Sequence, residues 1–225
     1  MSEIFFWEVH ERYARYWCCD HLKDVEQAGG QDVFNENFHR CENYMNQINN
    51  PLKLEEWNPP QLCFFQEDKR KKYKLGDCHS AWTAPEPILI SQNMIDKIGH
   101  ILEIYGVWLP LDVEGREDDK LYRYWVTNEL ECIDKEKSKI DKGFASDYFE
   151  INKLTVDDKN FDGSMIFRVK DREYIGNQYF VTKEFIDLIK EHKLKGFMFF
   201  KCNPVYTEGY YGNDTDCKEK PILVG

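Results

Sequence analysis

The sequence is short of positive charge: 30 Lys and Arg stand against 41 Asp and Glu, a formal net charge of −11 over 225 residues. An excess of carboxylates repels a phosphate backbone and attracts basic proteins or cations, so nucleic acid is not expected as a partner. Long apolar runs are also missing. Stretches such as Phe197–Phe200 fall far below the ~20 residues needed to cross a bilayer, and no membrane partner is expected. The start, Met-Ser-Glu-Ile-Phe-Phe-Trp-Glu, has an acidic residue at Glu3 and only four apolar residues before Glu8. It lacks the basic and apolar regions of a secretion signal, which points to the cytoplasm.

Catalytic signatures are absent as well. There is no Gly-x-Ser-x-Gly, no phosphate-binding loop and no His-Glu-x-x-His, and His10, His21, His39, His79, His100 and His192 follow no catalytic spacing. Eight cysteines contain no Cys-x-x-Cys; the nearest metal-like groupings are Cys18-Cys19-Asp20-His21, His39-Arg40-Cys41 and Cys78-His79. Neighbouring side chains such as Cys78 and His79 point apart on a strand or helix, so a four-ligand site would need several distant segments. Reduced thiols are expected rather than disulfides. No catalytic residue, metal ligand or cofactor is assigned.

What is present is an ordinary globular composition, 42% hydrophobic, 15% aromatic and 32% charged, long enough for one large domain or two small ones. Residues 4–9 read as a strand, followed by the aromatic Tyr13, Tyr16 and Trp17. A helix is expected near Phe34–Tyr44, turns at Asn49-Asn50-Pro51 and Asn58-Pro59-Pro60, and a solvated basic loop at Lys69–Lys72. From Pro85 the pattern sharpens. Ile88-Leu89-Ile90 reads as a strand ending at Ser91, a helix cap; Met94, Ile95, Ile98, Ile101, Leu102 and Tyr105 recur at helical spacing; Gly106 is the expected left-handed stop before Val107-Trp108-Leu109. The same grammar returns at Tyr179-Phe180-Val181, with Thr182 as cap, Phe185, Ile186 and Ile189 on the apolar face, and Gly196 before Phe197–Phe200.

Ser91 and Thr182 stand 91 positions apart, and Asp96 and Asp187 each follow five residues after the cap. This pseudo-repeat is consistent with internal duplication or with recurrence of a common strand-helix-strand unit. Strands are expected between the two units at about 121–126, 148–154 and 165–170. The expected fold is α+β: a mixed sheet with two strand-helix-strand units in residues 85–225, and an N-terminal α/β segment, residues 1–84, packed on it.

The segment Val126–Ser138, containing Cys132-x-Asp134-x-x-x-Ser138, resembles a segment of a family of immunity proteins from bacterial polymorphic toxin systems. It is joined in order by Pro87–Ser91, by Ile166–Lys170, and by Phe180-Val181-Thr182 leading through Phe185 to Leu194-Lys195-Gly196. The resemblance covers about Pro85 to Phe200, with Leu75-Gly76-Asp77 as an upstream correspondence. It implies a non-catalytic cytoplasmic protein that binds a cognate toxin and protects the producing cell and its kin. It implies no contact residues. Asp134 and Ser138 are expected to make local hydrogen bonds to backbone, and Arg168 either pairs internally or faces a partner.

Two features suit an interface. Asp112, Glu114, Glu117, Asp118 and Asp119 place five carboxylates in eight positions, enough to steer a basic partner. Trp108, and Tyr210 and Tyr211 with Tyr206, are aromatic types that anchor interfaces when exposed. The bland alternative is a solvated acidic hairpin, as it is for Asp214 and Asp216. Two other function classes stay open: a metal- or thiol-dependent enzyme drawing on the cysteines and histidines, and a regulatory binding module with an acidic surface.

Overall fold

The computed structural model of the chain describes residues 3–9, 15–18, 31, 57, 61–65, 75–81, 88–114, 120–142, 149–153, 155–157, 159–170, 178–202 and 221–225. The helix expected near Phe34–Tyr44, the turns at 49–51 and 58–60, and the basic run at 69–72 lie outside these residues. The strands are β1 (Ile4–Val9), β2 (Arg15–Cys18), β3 (Leu62–Phe65), β4 (Cys78–Ala81), β5 (Ile88–Ser91), β6 (Gly106–Pro110), β7 (Leu121–Val126), β8 (Glu129–Leu130), β9 (Lys139–Lys142), β10 (Phe149–Lys153), β11 (Ile166–Val169), β12 (Tyr179–Thr182), β13 (Phe197–Lys201) and β14 (Ile222–Val224). Helix α1 (Gln92–Tyr105) joins β5 to β6, and α2 (Lys183–Glu191) joins β12 to β13. The fold is α+β, and the chain divides into two compact units, Val9–Trp125 and Met1–Glu8 with Val126–Gly225.

The Val9–Trp125 unit carries a six-stranded sheet in the order β3-β2-β4-β5-β7-β6. β2 and β4 run parallel, while β2–β3, β4–β5 and β5–β7 are antiparallel. Ile88, Leu89 and Ile90 are all buried, so this central strand reads as a continuous apolar run rather than an alternating one. Ser91 ends the strand and caps α1: its Oγ accepts from the Met94 N–H at 3.1 Å and donates to Asp77 at 2.9 Å. Met94, Ile98 and Leu102, four residues apart, form the buried stripe of α1.

The helix does not stop as expected. Gly106 has φ −173°, an extended conformation, so left-handed freedom is not why glycine stands there. Its neighbour is the reason. A Cβ built on Gly106 would lie 2.3 Å from the Trp125 carbonyl oxygen and 3.0 Å from the Tyr124 ring. Only a residue without a side chain lets the chain turn out of α1 this close to β7. The Tyr124 hydroxyl meanwhile donates to the Leu102 carbonyl at 2.9 Å, which also accepts from the Gly106 N–H.

The other unit has the sheet order β14-β13-β1-β12-β11-β8, with β11–β8 parallel and β1–β12, β11–β12 and β13–β14 antiparallel. A separate antiparallel ribbon pairs β9 with β10. One core cluster centres on Trp7, whose ring packs 5.2 Å from Phe185 and 5.8 Å from Phe197. Ile4, Phe6, Phe167, Val169 and Phe180 build a second, with Cys132 and Cys202. Alternation along β1 thus sends successive side chains into two apolar layers.

Both ends of α2 correct the sequence reading. Thr182 holds the cap position but makes no side-chain cap bond. Its hydroxyl, next to the Glu184 carboxyl, and the Glu184 backbone N–H hold that carboxyl below its ordinary value. At the other end the left-handed residue that closes the helix is Lys193, φ 53°, three positions before Gly196. The Leu194 N–H donates to Ile189 O and the Lys193 N–H to Lys190 O, both at 3.0 Å, a Schellman closure sealed by buried Leu194 and Ile189. Gly196, φ 101°, lies past the stop at the entry to β13.

Two substitutions separate these roles. Gly106→Ala is expected to destabilise the protein by about 3 kcal/mol in urea unfolding, because backbone must move to admit the methyl group. Lys193→Gly is expected to stabilise it by about 1 kcal/mol in the same measurement, by relieving a left-handed lysine.

Candidate partner-binding surface

The acidic segment begins where β6 ends. Pro110 O accepts from the Trp57 indole N–H at 2.7 Å. Leu62 N–H then donates to Asp112 O at 2.8 Å and Glu114 N–H to Leu62 O at 2.7 Å, so Val113 bridges Leu62 in parallel. Period-two geometry follows: Val113 is buried with Tyr16, Leu62, Leu89 and Leu121, and the flanking Asp112 and Glu114 are exposed. Gln61 donates to the Asp112 carboxylate at 3.2 Å. Two of the five carboxylates are therefore displayed from an anchored backbone; Glu117, Asp118 and Asp119 lie outside the described residues. The anchors Trp57 and Gln61 sit 53 and 51 positions away in sequence, and no local pattern announces them.

Trp108 is half-buried on β6, and its ring end lies 3.7 Å from the Cβ position of Gly99, over α1. Tyr206, Tyr210, Tyr211, Asp214 and Asp216 lie outside the described residues. Among the described residues, exposed large apolar side chains are Leu75, Ile104 and Leu223.

The Cys132–Ser138 segment is built by hydrogen bonds to its own backbone and to residues 155–157. Asp134 Oδ1 accepts from the Glu136 and Lys137 N–H groups at 3.2 and 3.1 Å, and Oδ2 pairs with Lys137 Nζ at 2.6 Å. Ser138 Oγ accepts from the Thr155 N–H at 2.9 Å, Asp134 N–H donates to Thr155 O, and Asp157 N–H donates to Cys132 O. The expected side-chain-to-backbone role of Asp134 and Ser138 is what the structure has. Arg168 pairs internally: its side chain, 4% exposed, meets Glu129 at 2.5 Å on the neighbouring parallel strand.

The described thiols Cys132 and Cys202 are free. Burial pushes the Cys132 thiol up to about 12, with Asp162 and Asp157 adding and a backbone hydrogen bond opposing; burial pushes Cys202 up as well. A thiol held neutral in this way is a poor nucleophile. His100 is exposed on α1 and His192 caps α2. No three His, Cys, Asp or Glu side chains among the described residues are grouped to hold a metal ion, and no helix among them is long and apolar enough to cross a membrane.

A family model described as Immunity protein family (Imm11) matches residues 89–204, from the middle of β5 to just beyond β13. No curated protein matches the chain.

Lys137 holds the Asp134 carboxyl below its ordinary value, first through the side-chain hydrogen bond and then through backbone N–H groups and charge. A depressed folded value means that this turn favours the folded state above the ordinary carboxylate range and loses that preference as pH falls through the folded value. In a side-chain NMR titration, Asp134 is expected to have a midpoint below 3.8, its ordinary value, and Lys137→Ala is expected to move it upward.

Proposed function

The chain belongs to the Immunity protein family (Imm11), whose model spans just over half of it, and from that membership we propose that it is a non-catalytic protein that binds and neutralises a cognate toxin. The complex is stoichiometric and protects the producing cell and its kin. Neutralisation of this kind requires a surface and no chemistry. The unreactive character of buried Cys132 and Cys202 agrees with that requirement.

The surface proposed for the partner is the acidic segment from Asp112 to Asp119, with Trp108 beside it and Tyr210 and Tyr211 as further anchors. The net charge of −11 supports a basic partner, because complementary potential raises association rate and suppresses wrong pairings more than it adds affinity. Neither nucleic acid nor a membrane is proposed as a partner, and the proposed location is the cytoplasm.

Coexpression with the toxin encoded beside this chain is expected to restore growth; persistent killing at matched expression would overturn the proposal. Replacing Glu117, Asp118 and Asp119 by Ser is expected to slow association by about tenfold at low salt, with dissociation little changed, in a surface-binding measurement. An unchanged association rate would remove the acidic segment from the interface.

A further inference from the structure

The two six-stranded sheets share more than a general plan. In the Val9–Trp125 unit, β5 and β6 flank α1 and are held one strand apart by β7; in the other unit, β12 and β13 flank α2 and are held one strand apart by β1. The middle strands occupy the same register. Leu121 stands opposite the cap residue Ser91 and Ile4 opposite the cap residue Thr182, after which Tyr122 meets Ile90 as Phe5 meets Val181, and Arg123 meets Leu89 as Phe6 meets Phe180.

The correspondence continues outward on both sides. Cys78 and His79 of β4 face Ile90 and Leu89, as Ile166 and Phe167 of β11 face Val181 and Phe180. Beyond them comes a parallel strand in each sheet, with Ser80 beside Arg15 in one and Arg168 beside Glu129 in the other. Single backbone bonds agree: Ser91 N–H to Asp77 O and Thr182 N–H to Met165 O, both 3.0 Å; Leu111 N–H to Leu121 O at 3.0 Å and Cys202 N–H to Ile4 O at 2.9 Å. A slip of one residue would turn a strand inside out, so a shared architecture alone does not fix four strand pairings to the same residue.

Chain order adds a further fact. β1 is followed after residues 10–14 by β2, and β7 after residues 127–128 by β8, and β2 and β8 are the corresponding parallel strands. Each repeat thus begins with its middle strand and passes directly to its parallel strand. Yet β1 lies in the sheet of β8, β11, β12 and β13, and β7 lies in the sheet of β2–β6.

We infer that the chain is a tandem duplication whose two copies have exchanged their leading strands, so that residues 4–9 fill a strand-binding slot between β12 and β13 in the other copy. Such exchange between identical copies is how domain-swapped dimers form, and here both partners lie in one chain. The slot takes an extended segment with apolar side chains on both faces. Ile4, Phe5, Phe6 and Trp7, all buried, supply them.

Hydrogen exchange on the full chain tests the assignment with two matched variants. Phe5→Ala is expected to raise amide exchange in β12 and β13 by about 100-fold while β5 and β7 change less than about threefold, and Tyr122→Ala is expected to give the reverse pattern. Acceleration in β5 by Phe5→Ala, with β12 unchanged, would overturn the exchange. A measurement on the unaltered protein checks the same point: amide-to-amide NOE contacts are expected between β1 and β12, and contacts from β1 to β5 in their place would refute it.

Discussion

A strand-helix-strand segment whose two strands stand one strand apart cannot satisfy its own backbone: the N–H and C=O groups facing the gap need a third strand. Both units of this protein are built on that requirement. β7 closes the gap between β5 and β6, and β1 closes the gap between β12 and β13. The local features follow from it. Gly106 is glycine because the closing strand carries Trp125 O to where a Cβ would be. Tyr124, on the same strand, reaches back to the last turn of α1. Trp7, on the other closing strand, is the residue around which Tyr179, Phe185 and Phe197 gather.

Much of this was legible in the sequence wherever the signal was local. The apolar spacing of Met94, Ile98 and Leu102 and the hydroxyl of Ser91 identify α1, and the cap is realised in the structure. The strands at 121–126 and 165–170 were equally readable from their composition. The failures share a cause. Gly106 and Gly196 look alike in sequence as glycines after a helix, but one answers to a carbonyl on a strand 19 residues away and the other lies beyond a stop already made by Lys193. Thr182 offers the same hydroxyl as Ser91, but its use is set by which neighbours are in reach: Ser91 donates to Asp77 and accepts from the Met94 N–H, whereas Thr182 makes no side-chain cap bond. Strand partnership is non-local as well, and nothing in residues 4–9 announces that they pair with residues 179–182.

The candidate surface was legible in part. Charge density marks residues 112–119, and the alternation of exposed Asp112 and Glu114 around buried Val113 shows how two carboxylates come to share a face. The anchors from Trp57 and Gln61 leave no trace in the local sequence, because hydrogen bonds across 50 positions impose no periodicity. Within the family-like segment, Asp134, Ser138 and Arg168 turn out to be spent on internal bonds. These three residues are therefore determinants of the fold.

The pairing of β1 with β12 has a consequence for synthesis. About 170 residues separate the end of β1 from the start of β12, and at roughly 5–20 residues per second a nascent chain carries Ile4-Phe5-Phe6-Trp7 unpaired for about 10–35 seconds. The Val9–Trp125 unit has all its strands long before then. A ribosome translating this message therefore holds a nearly finished half and a waiting apolar strand at once.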